Sequence, residues 1–285
     1  MGKKRRNPWI ILLVSVLLLL PRIAQSQQNS EPLDTEHIFG FTEGADIGEK
    51  GEKELENTTI GSLGTMIGSY AFFQNETSFR YGVAEHFRAS LGVLTDYYSI
   101  RYLPGLDDRT GLGFGGTTSE FRWQVLERDR SPIDLTLSLA PQWQRIDTAS
   151  GKNQQSYIVP FTILADMALL PDTMFAASNI IWNPTFTPSR GKLQEESPLE
   201  LSLASSGLIG ERIWLGAEIR HLTRNQAGFF TGHALFIGPS LFVQLSETVT
   251  AKLAWSAQIP DETTGRVDPV NYPRNQVLAQ IVKNF

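Results

Sequence analysis

The sequence contains no cysteine and only four histidines among its 285 residues. The absence of cysteine excludes disulfides, thiolate metal sites, Fe–S clusters, a cysteine nucleophile and a lipid anchor on an N-terminal cysteine. Four histidines leave little for a histidine-rich centre, and no two of them lie at metal-ligand spacing along the chain. We therefore predict no metal site and no cofactor.

Long hydrophobic runs and helical periodicity are also missing after residue 26, so the chain has no candidate for a spanning helix, which needs about 20 apolar residues. The mean hydropathy of −0.16 likewise excludes a helical membrane bundle. A hydrophobic content of 41% excludes wholesale disorder. With 16 Phe, 6 Trp and 7 Tyr, the composition favours a β-rich protein.

The first 26 residues have the three parts of a signal peptide. A cationic start at residues 3–6 precedes an uncharged apolar run at residues 9–20, and Ala24-Gln25-Ser26 has the small residues of a cleavage site. A membrane anchor is disfavoured because Pro21 and Arg22 interrupt the run. We predict secretion by the general route, with the mature chain beginning near Gln27.

Loss of residues 1–26 removes five basic residues and no acidic one, which leaves 20 Lys and Arg against 30 Asp and Glu. A net charge of −10 with scattered basic residues makes nucleic-acid binding improbable. Residues 43–56 are rich in acidic side chains interleaved with Lys50 and Lys53. This pattern resembles a cation site only superficially, and it predicts that residues 27–52 are a solvated periplasmic tail that leads into the first strand.

Alternation with a period of two dominates the rest of the chain. In residues 133–143 the odd positions are Ile, Leu, Leu, Leu, Pro and Trp, and the even positions are polar or small. Several such segments run 10 to 14 residues, whereas strands of soluble domains usually have about 5 to 6 and strands that cross a bilayer about 9 to 11. The lengths favour membrane-spanning strands over a soluble sandwich.

The alternating segments predict twelve strands. They lie at about 53–65, 70–84, 87–101, 112–127, 132–146, 156–169, 174–187, 198–206, 212–224, 230–245, 249–259 and 275–285. The connections alternate between long polar ones, such as 103–111, 147–155, 188–197 and 260–274, and tight ones, such as 85–86 and 246–248. This asymmetry and the even strand count predict an all-β, closed, antiparallel, up-and-down transmembrane barrel over residues 53–285, in the bacterial outer membrane.

Three short motifs resemble a known group of proteins. Residues 80–88, 237–248 and 41–52 are similar to segments of proteobacterial outer-membrane barrels of the phenol-degradation meta-pathway type and of uncharacterised rhizobial relatives. The resemblance implies the barrel architecture and does not identify a transported solute. The terminal Phe285 closes an amphipathic strand and resembles the signal that such barrels present to the barrel-assembly machinery, although Lys283 departs from the usual apolar residue.

One sequence motif is a candidate for the active site of an outer-membrane enzyme. Gly232-His233-Ala234 is similar to the Gly-His pair of the twelve-stranded outer-membrane phospholipase. The phospholipase pattern requires serine two residues after the histidine, where this chain has Leu235. We therefore predict that the protein is not an enzyme.

The functional candidates are charged residues on the polar faces of the predicted strands, which would line the lumen if the apolar faces meet lipid. They are Arg80, Glu120, Arg122, Asp134, Asp166, Glu218, Arg220 and Lys252. Twelve strands predict a narrow lumen, because eight leave an interior just filled by side chains and 16 to 18 leave an open channel. Two functions stay open: a passive channel or uptake pore for small solutes, and a non-conducting barrel plugged by these residues that serves a structural or surface-interaction role.

Overall fold

The computed structural model describes residues 34–65, 67–189, 191–226, 228–260, 268 and 272–285. The predicted signal peptide lies outside these residues. Every regular element in the described part is a strand. The strands are β1 Lys53–Leu63, β2 Ser69–Ala84, β3 Phe87–Arg101, β4 Arg109–Leu126, β5 Asp134–Leu139, β6 Gln142–Ile146, β7 Asn153–Ile158, β8 Phe161–Leu170, β9 Met174–Trp182, β10 Thr185–Ser189, β11 Lys192–Glu196, β12 Leu199–Ile209, β13 Ile213–Gln226, β14 Phe229–Gln244, β15 Val249–Ile259 and β16 Asn275–Asn284. Within the described residues, no helix is long and apolar enough to cross a membrane.

The strands form one closed antiparallel barrel. The first strand pairs with the last from Glu54–Asn284 to Leu63–Asn275, and all other neighbours are also antiparallel. The sixteen labelled segments make up twelve strands of the barrel wall, because four of those strands are each interrupted and consist of two consecutive segments. The paired segments are β5 with β6, β7 with β8, β9 with β10, and β11 with β12. The barrel therefore has twelve strands, and the predicted fold class is confirmed.

Prolines cause the four interruptions, which the sequence interpretation did not include. Pro141, Pro160, Pro184 and Pro198 each lie between the two segments of one strand. Proline has no backbone N–H to donate to the ladder, so a strand that contains it is broken or bulged there. Pairing nevertheless continues around the wall, because the residue before a proline donates to the carbonyl of the next proline, as in Ala140 N to Pro160 O at 2.9 Å. The predicted unbroken strands at 132–146, 156–169 and 174–187 were wrong in this respect.

The barrel has two different ends. The turn end contains the start of β1, the end of β16 and short connections such as residues 85–86 and 171–173. The loop end contains connections such as residues 102–108 and 147–152. One predicted loop, 188–197, is instead mostly a hairpin, because β10 and β11 pair from Thr185–Glu196 to Ser189–Lys192 and extend the wall.

Side chains alternate between the two sides of the wall. The outward side chains are apolar and exposed, for example Leu91, Leu203 and Leu253, at 71%, 56% and 56% exposure. The inward ones are largely polar or charged and buried, as the burial patterns of β3 and β15 show. This apolar-out, polar-in arrangement is typical of a barrel built to sit in lipid, because lipid can solvate the apolar side chains and a polar lumen can accommodate the others.

Candidate functional site

Residues 34–48, called the luminal segment here, lie inside the barrel and not in solvent. Thr35, Glu36, Phe39 and Ala45 are at most 2% exposed. The segment folds back on itself, since the Gly44 N–H donates to the Glu36 carbonyl at 3.2 Å. The prediction of a solvated tail was therefore wrong for this stretch, although the start of the first strand at Lys53 agrees with the sequence interpretation.

Glu36 is the centre of the contact between the luminal segment and the wall. Its carboxylate accepts hydrogen bonds from Arg80 on β2 at 2.6 Å, from Arg88 on β3 at 2.5 Å and from Arg122 on β4 at 2.7 Å. Burial alone would raise the pKa of Glu36, but Arg88, Arg122 and Arg80 hold it well below its ordinary value. One carboxylate thus compensates part of the charge of three buried guanidinium groups, which would otherwise repel one another.

His37 extends this cluster to the first strand. Its Nε2 lies 3.1 Å from Glu54 Oε1, and Glu54 also faces Arg80 at 3.7 Å. Burial would lower the pKa of His37, but Glu36 and the hydrogen bond to Glu54 raise it to about 9. His37 is therefore a cation at neutral pH.

The ligand atoms of Glu36, His37 and Glu54 lie within 4.8 Å of one another, as in a metal centre. A metal ion would need the lone pair of a neutral imidazole, whereas the pKa of His37 is raised to about 9. The carboxylates are also engaged by arginine guanidinium groups, which an ion would have to displace. The arrangement therefore fits an ion-pair network better than a metal centre.

Three inward carboxylates on other strands also bind the luminal segment or support its binding. Asp166 accepts from the Thr35 hydroxyl at 2.8 Å and from the Ala45 N–H at 2.7 Å. Glu218 accepts from the N–H of Thr42 at 3.0 Å. Asp134 contacts Arg128, whose Nη2 donates to the Thr35 hydroxyl at 3.2 Å. The segment is held from opposite sides of the barrel.

The remaining predicted lumen residues surround the same segment. Arg220 on β13 lies over the Phe41 ring, 4.2 Å from its centroid, and donates to Glu200 at 2.7 Å. Lys252 is 2% exposed, and its charge, after that of Arg122, lowers the pKa of Glu43 against the effect of burial.

Glu120 accepts from Arg122 Nε at 2.8 Å, which is the same guanidinium that binds Glu36. All eight candidate lumen residues therefore lie on inward faces. Seven contact the luminal segment or one of its direct partners, and Lys252 acts on Glu43 through its charge.

Two glycines allow close backbone approaches within and just after the luminal segment. A Cβ at Gly44 would lie 2.3 Å from the Thr35 carbonyl oxygen, where the segment folds back on itself. A Cβ at Gly82 on the wall would lie 2.0 Å from the backbone oxygen of Glu49, next to the Gly51 N–H, which donates to the Gly82 carbonyl at 2.7 Å. A side chain at Gly44 would disturb the fold of the segment, and one at Gly82 would displace the residues that follow it.

Nearer the loop end, the lumen wall formed by β1 to β4 carries further carboxylates. Glu76 accepts from the Thr118 hydroxyl at 2.5 Å, and Asp96 accepts from the Gln74 amide at 3.2 Å. Glu76 lies four residues along β2 from Arg80, which is about 13 Å at the rise of a strand. This wall is therefore acidic beyond the arginine cluster.

The sequence predicted the inward-facing charged residues but not the luminal segment that binds them. Alternation identifies which side chains share a face, so it located Arg80 and Arg122 without the structure. It carries no information on an irregular segment such as residues 34–48. One signal was present: the inward Arg80, Arg88 and Arg122 exceed the carboxylates that β2 to β4 supply at that level, which indicates an anion from elsewhere in the chain.

The pH dependence of this cluster gives one prediction. The pKa of His37 is raised from 6.5 to about 9, so the stabilisation from its charge is fully present below pH 6.5 and is lost as the pH rises through about 9. The shift corresponds to on the order of 3 kcal/mol. We expect the free energy of unfolding to fall between pH 8 and pH 10. His37→Gln has no titratable group at this position and should lose this pH dependence, and an unchanged profile in that variant would contradict the assignment.

Comparison with solved structures supports the fold. The chain is similar to the COG4313 outer membrane channel from Pseudomonas putida F1, with 12% identity over 90% of this chain and 100% of that chain and a TM-score of 0.56. It is also similar to the beta domain of the Bordetella autotransporter BrkA, with 14% identity over 83% and 100% and a TM-score of 0.52. The NanC porin matches with 6% identity over 81% and 100% and a TM-score of 0.50.

At these identities the similarity establishes the outer-membrane barrel fold and no activity. No curated protein matches the chain. A family model does match, over residues 31–267, which include the luminal segment and most of the barrel. The chain therefore belongs to DUF6662, a family of unknown function.

Proposed function

We propose that this protein is a narrow passive channel for small solutes in the outer membrane, and that the luminal segment limits its conduction. The observation that carries the proposal is a closed barrel with a polar, charged interior in which a separate segment is held by side-chain contacts. A barrel with a purely structural role needs only a filled interior, which apolar side chains would provide at lower cost.

The proposed orientation follows from the predicted signal peptide and the two ends of the barrel. Cleavage near Gln27 would leave the N-terminus of the mature chain in the periplasm. The turn end is then periplasmic and the loop end extracellular, as in other outer-membrane barrels. The proposed partners are membrane lipid, the barrel-assembly machinery and small solutes.

The alternative function is a non-conducting structural or surface-interaction barrel. The dense contacts of Glu36 with the wall, and of Asp166 and Glu218 with the luminal segment, favour it, because they occlude the lumen at that level. An enzymatic role has less support, since the histidine of the Gly232-His233-Ala234 motif lies 3.3 Å from His221 and is followed by leucine where the phospholipase pattern needs serine.

Planar-bilayer recording distinguishes the two functions. Mature protein refolded without a tag should give small, discrete conductance steps, and a variant lacking residues 34–48 should give larger ones. Steps that are absent from both proteins, although both show the heat-dependent gel shift of folded barrels, would support the non-conducting alternative.

The acidic wall on β1 to β4 predicts a preference for cations. Glu76 is half-buried, faces the lumen and lies beyond the arginine cluster. We expect Glu76→Gln to lower the cation-to-anion permeability ratio, measured as a shift of the reversal potential in a salt gradient. Glu85→Gln, in the exposed turn between β2 and β3, is the matched control and should leave the ratio unchanged. Equal ratios in wild type and Glu76→Gln would contradict the prediction.

The predicted role of Phe285 in assembly can be tested directly. Its backbone N–H donates to the Lys53 carbonyl at 3.0 Å, while its ring is 67% exposed and lies 4.9 Å from Lys283 Nζ. Phe285→Asp keeps the backbone pairing and removes the exposed ring, so we expect reduced insertion in cells. Outer-membrane levels measured by fractionation are the readout, and Asn284→Asp is the control. Wild-type levels of the Phe285 variant would argue against an assembly signal.

A further inference from the structure

Two histidines that are distant in sequence meet on the outward face of the barrel. His221 lies on β13 and His233 on β14, and the register pairs His221 with Leu235 and Thr223 with His233, so the two histidines are diagonal neighbours. Their chain neighbours Arg220 and Ala234 are buried on the inward face. Spacing along the chain did not indicate this meeting, because the two histidines are brought together by the register of β13 and β14.

The ring nitrogens of this pair converge. His221 Nε2 lies 3.3 Å from His233 Nδ1, and the ring planes are 70° apart with centroids separated by 5.5 Å. Zinc–imidazole bonds are about 2.0–2.1 Å long, so two such bonds at a tetrahedral angle hold their nitrogens about 3.3 Å apart. The two ring nitrogens form a hydrogen bond in the structure, and their separation also matches that of two nitrogens bound to one ion.

We propose that His221 and His233 form a binding site for a divalent transition-metal ion on the outward wall near the loop end. Imidazole nitrogen suits Cu²⁺, Ni²⁺ and Zn²⁺, and Cu²⁺ binds most tightly in this series. The two strands are joined by a regular hydrogen-bonded ladder at this level, so the ligands are held in place before the ion arrives. Water completes the coordination sphere, because His233 is exposed.

The surroundings of the pair also suit an ion. The Phe230 ring lies 5.9 Å from the His233 ring, and Phe229 and Phe230 are 74% and 62% exposed. Exposed aromatic side chains near the end of a barrel mark the interface between the apolar membrane core and water, where an ion has access from solution. An ion bound here would link β13 to β14 and stabilise their hairpin.

The other two histidines do not form such a pair. The pKa of His37 is raised to about 9, and its side chain is buried against Glu36 and Glu54. His86 lies at the turn end, where its Nδ1 is 2.9 Å from a Glu127 carboxylate oxygen. They serve as controls, since each can be replaced without touching the proposed site.

Copper titration of the untagged, refolded mature chain in detergent tests the proposal. We expect one Cu²⁺ per chain with the electron paramagnetic resonance signature of two imidazole nitrogens. His221→Ala and His233→Ala should each weaken binding by at least about tenfold, because even residues that merely support a metal ligand contribute 10- to 100-fold. His86→Ala should bind as wild type does.

Two results would overturn the proposal. One is unchanged copper affinity in His221→Ala and His233→Ala, both verified as folded by their heat-dependent gel shift. The other is loss of the copper signal in His37→Ala alone, which would move the site to the cluster in the lumen. Both altered side chains project from the outward face, so folding of the variants is expected, and the doubly substituted His221→Gln, His233→Gln chain provides a polar replacement as a second check.

Discussion

Glu36→Ala is expected to raise the single-channel conductance several-fold. This carboxylate accepts hydrogen bonds from Arg80, Arg88 and Arg122, which together hold the luminal segment against β2 to β4. Removing one partner of a buried ion pair typically costs about 3 to 5 kcal/mol, because the remaining charges lose their compensation. Three guanidinium groups would then repel one another and favour water and counter-ions in the lumen over the docked segment.

Because the chain contains no cysteine, a single introduced thiol can report whether the luminal segment is docked in the barrel. Ala45 is fully buried and its N–H donates to Asp166, so a thiol introduced by Ala45→Cys should react slowly with a water-soluble reagent. The same thiol should react much faster in a Glu36→Ala background. Glu49→Ala is the matched control, because Glu49 is an exposed residue of the same type just beyond the segment. Slow labelling and unchanged conductance in Glu36→Ala would mean that other contacts suffice to occlude the lumen.

A barrel with this inward face could be predicted from sequence because the side-chain period of a strand is fixed by backbone geometry. Leu253 and Lys252 differ by one position, and the structure leaves the first 56% exposed and the second 2% exposed. The period is independent of what fills the interior. The strand breaks were harder to predict from sequence. Pro160 is visible there, but the hydrogen bond from the Ala140 N–H to its carbonyl depends on which strands are neighbours.

The contents of the lumen could not be predicted in the same way. The contacts of Thr42 with Glu218 and of Glu36 with Arg122 join residues 176 and 86 positions apart. Neither contact follows from a local pattern, because both depend on the path of an irregular segment through a closed barrel. The meeting of His221 and His233 depends on strand register, which alternation alone leaves undetermined.

Leu253→Arg is expected to lower the free energy of unfolding in lipid vesicles by about 2 to 4 kcal/mol. Leu253 lies in the middle of β15, opposite Leu241 and Ala279, with its side chain on the outward face. Arginine there must either lose its hydration in the hydrocarbon core or thin the bilayer around it. Leu253→Ala is the control for loss of side-chain contact without added charge, and denaturant titration of vesicle-embedded protein measures all variants.

An inward arginine completes this comparison, and the structure determines where it can be placed. Thr136 and Ser256 are fully buried against Ala45 and Glu218. Arginine at either position would displace the luminal segment, and the cost of that displacement could not be separated from the cost of the inward charge. Thr58 on β1 is better suited, because its hydroxyl donates to Glu56 at 2.8 Å and an arginine there would find carboxylate partners. Thr58→Arg should therefore cost much less than Leu253→Arg. Equal costs at the two positions would mean that the apolar face of the barrel does not meet lipid.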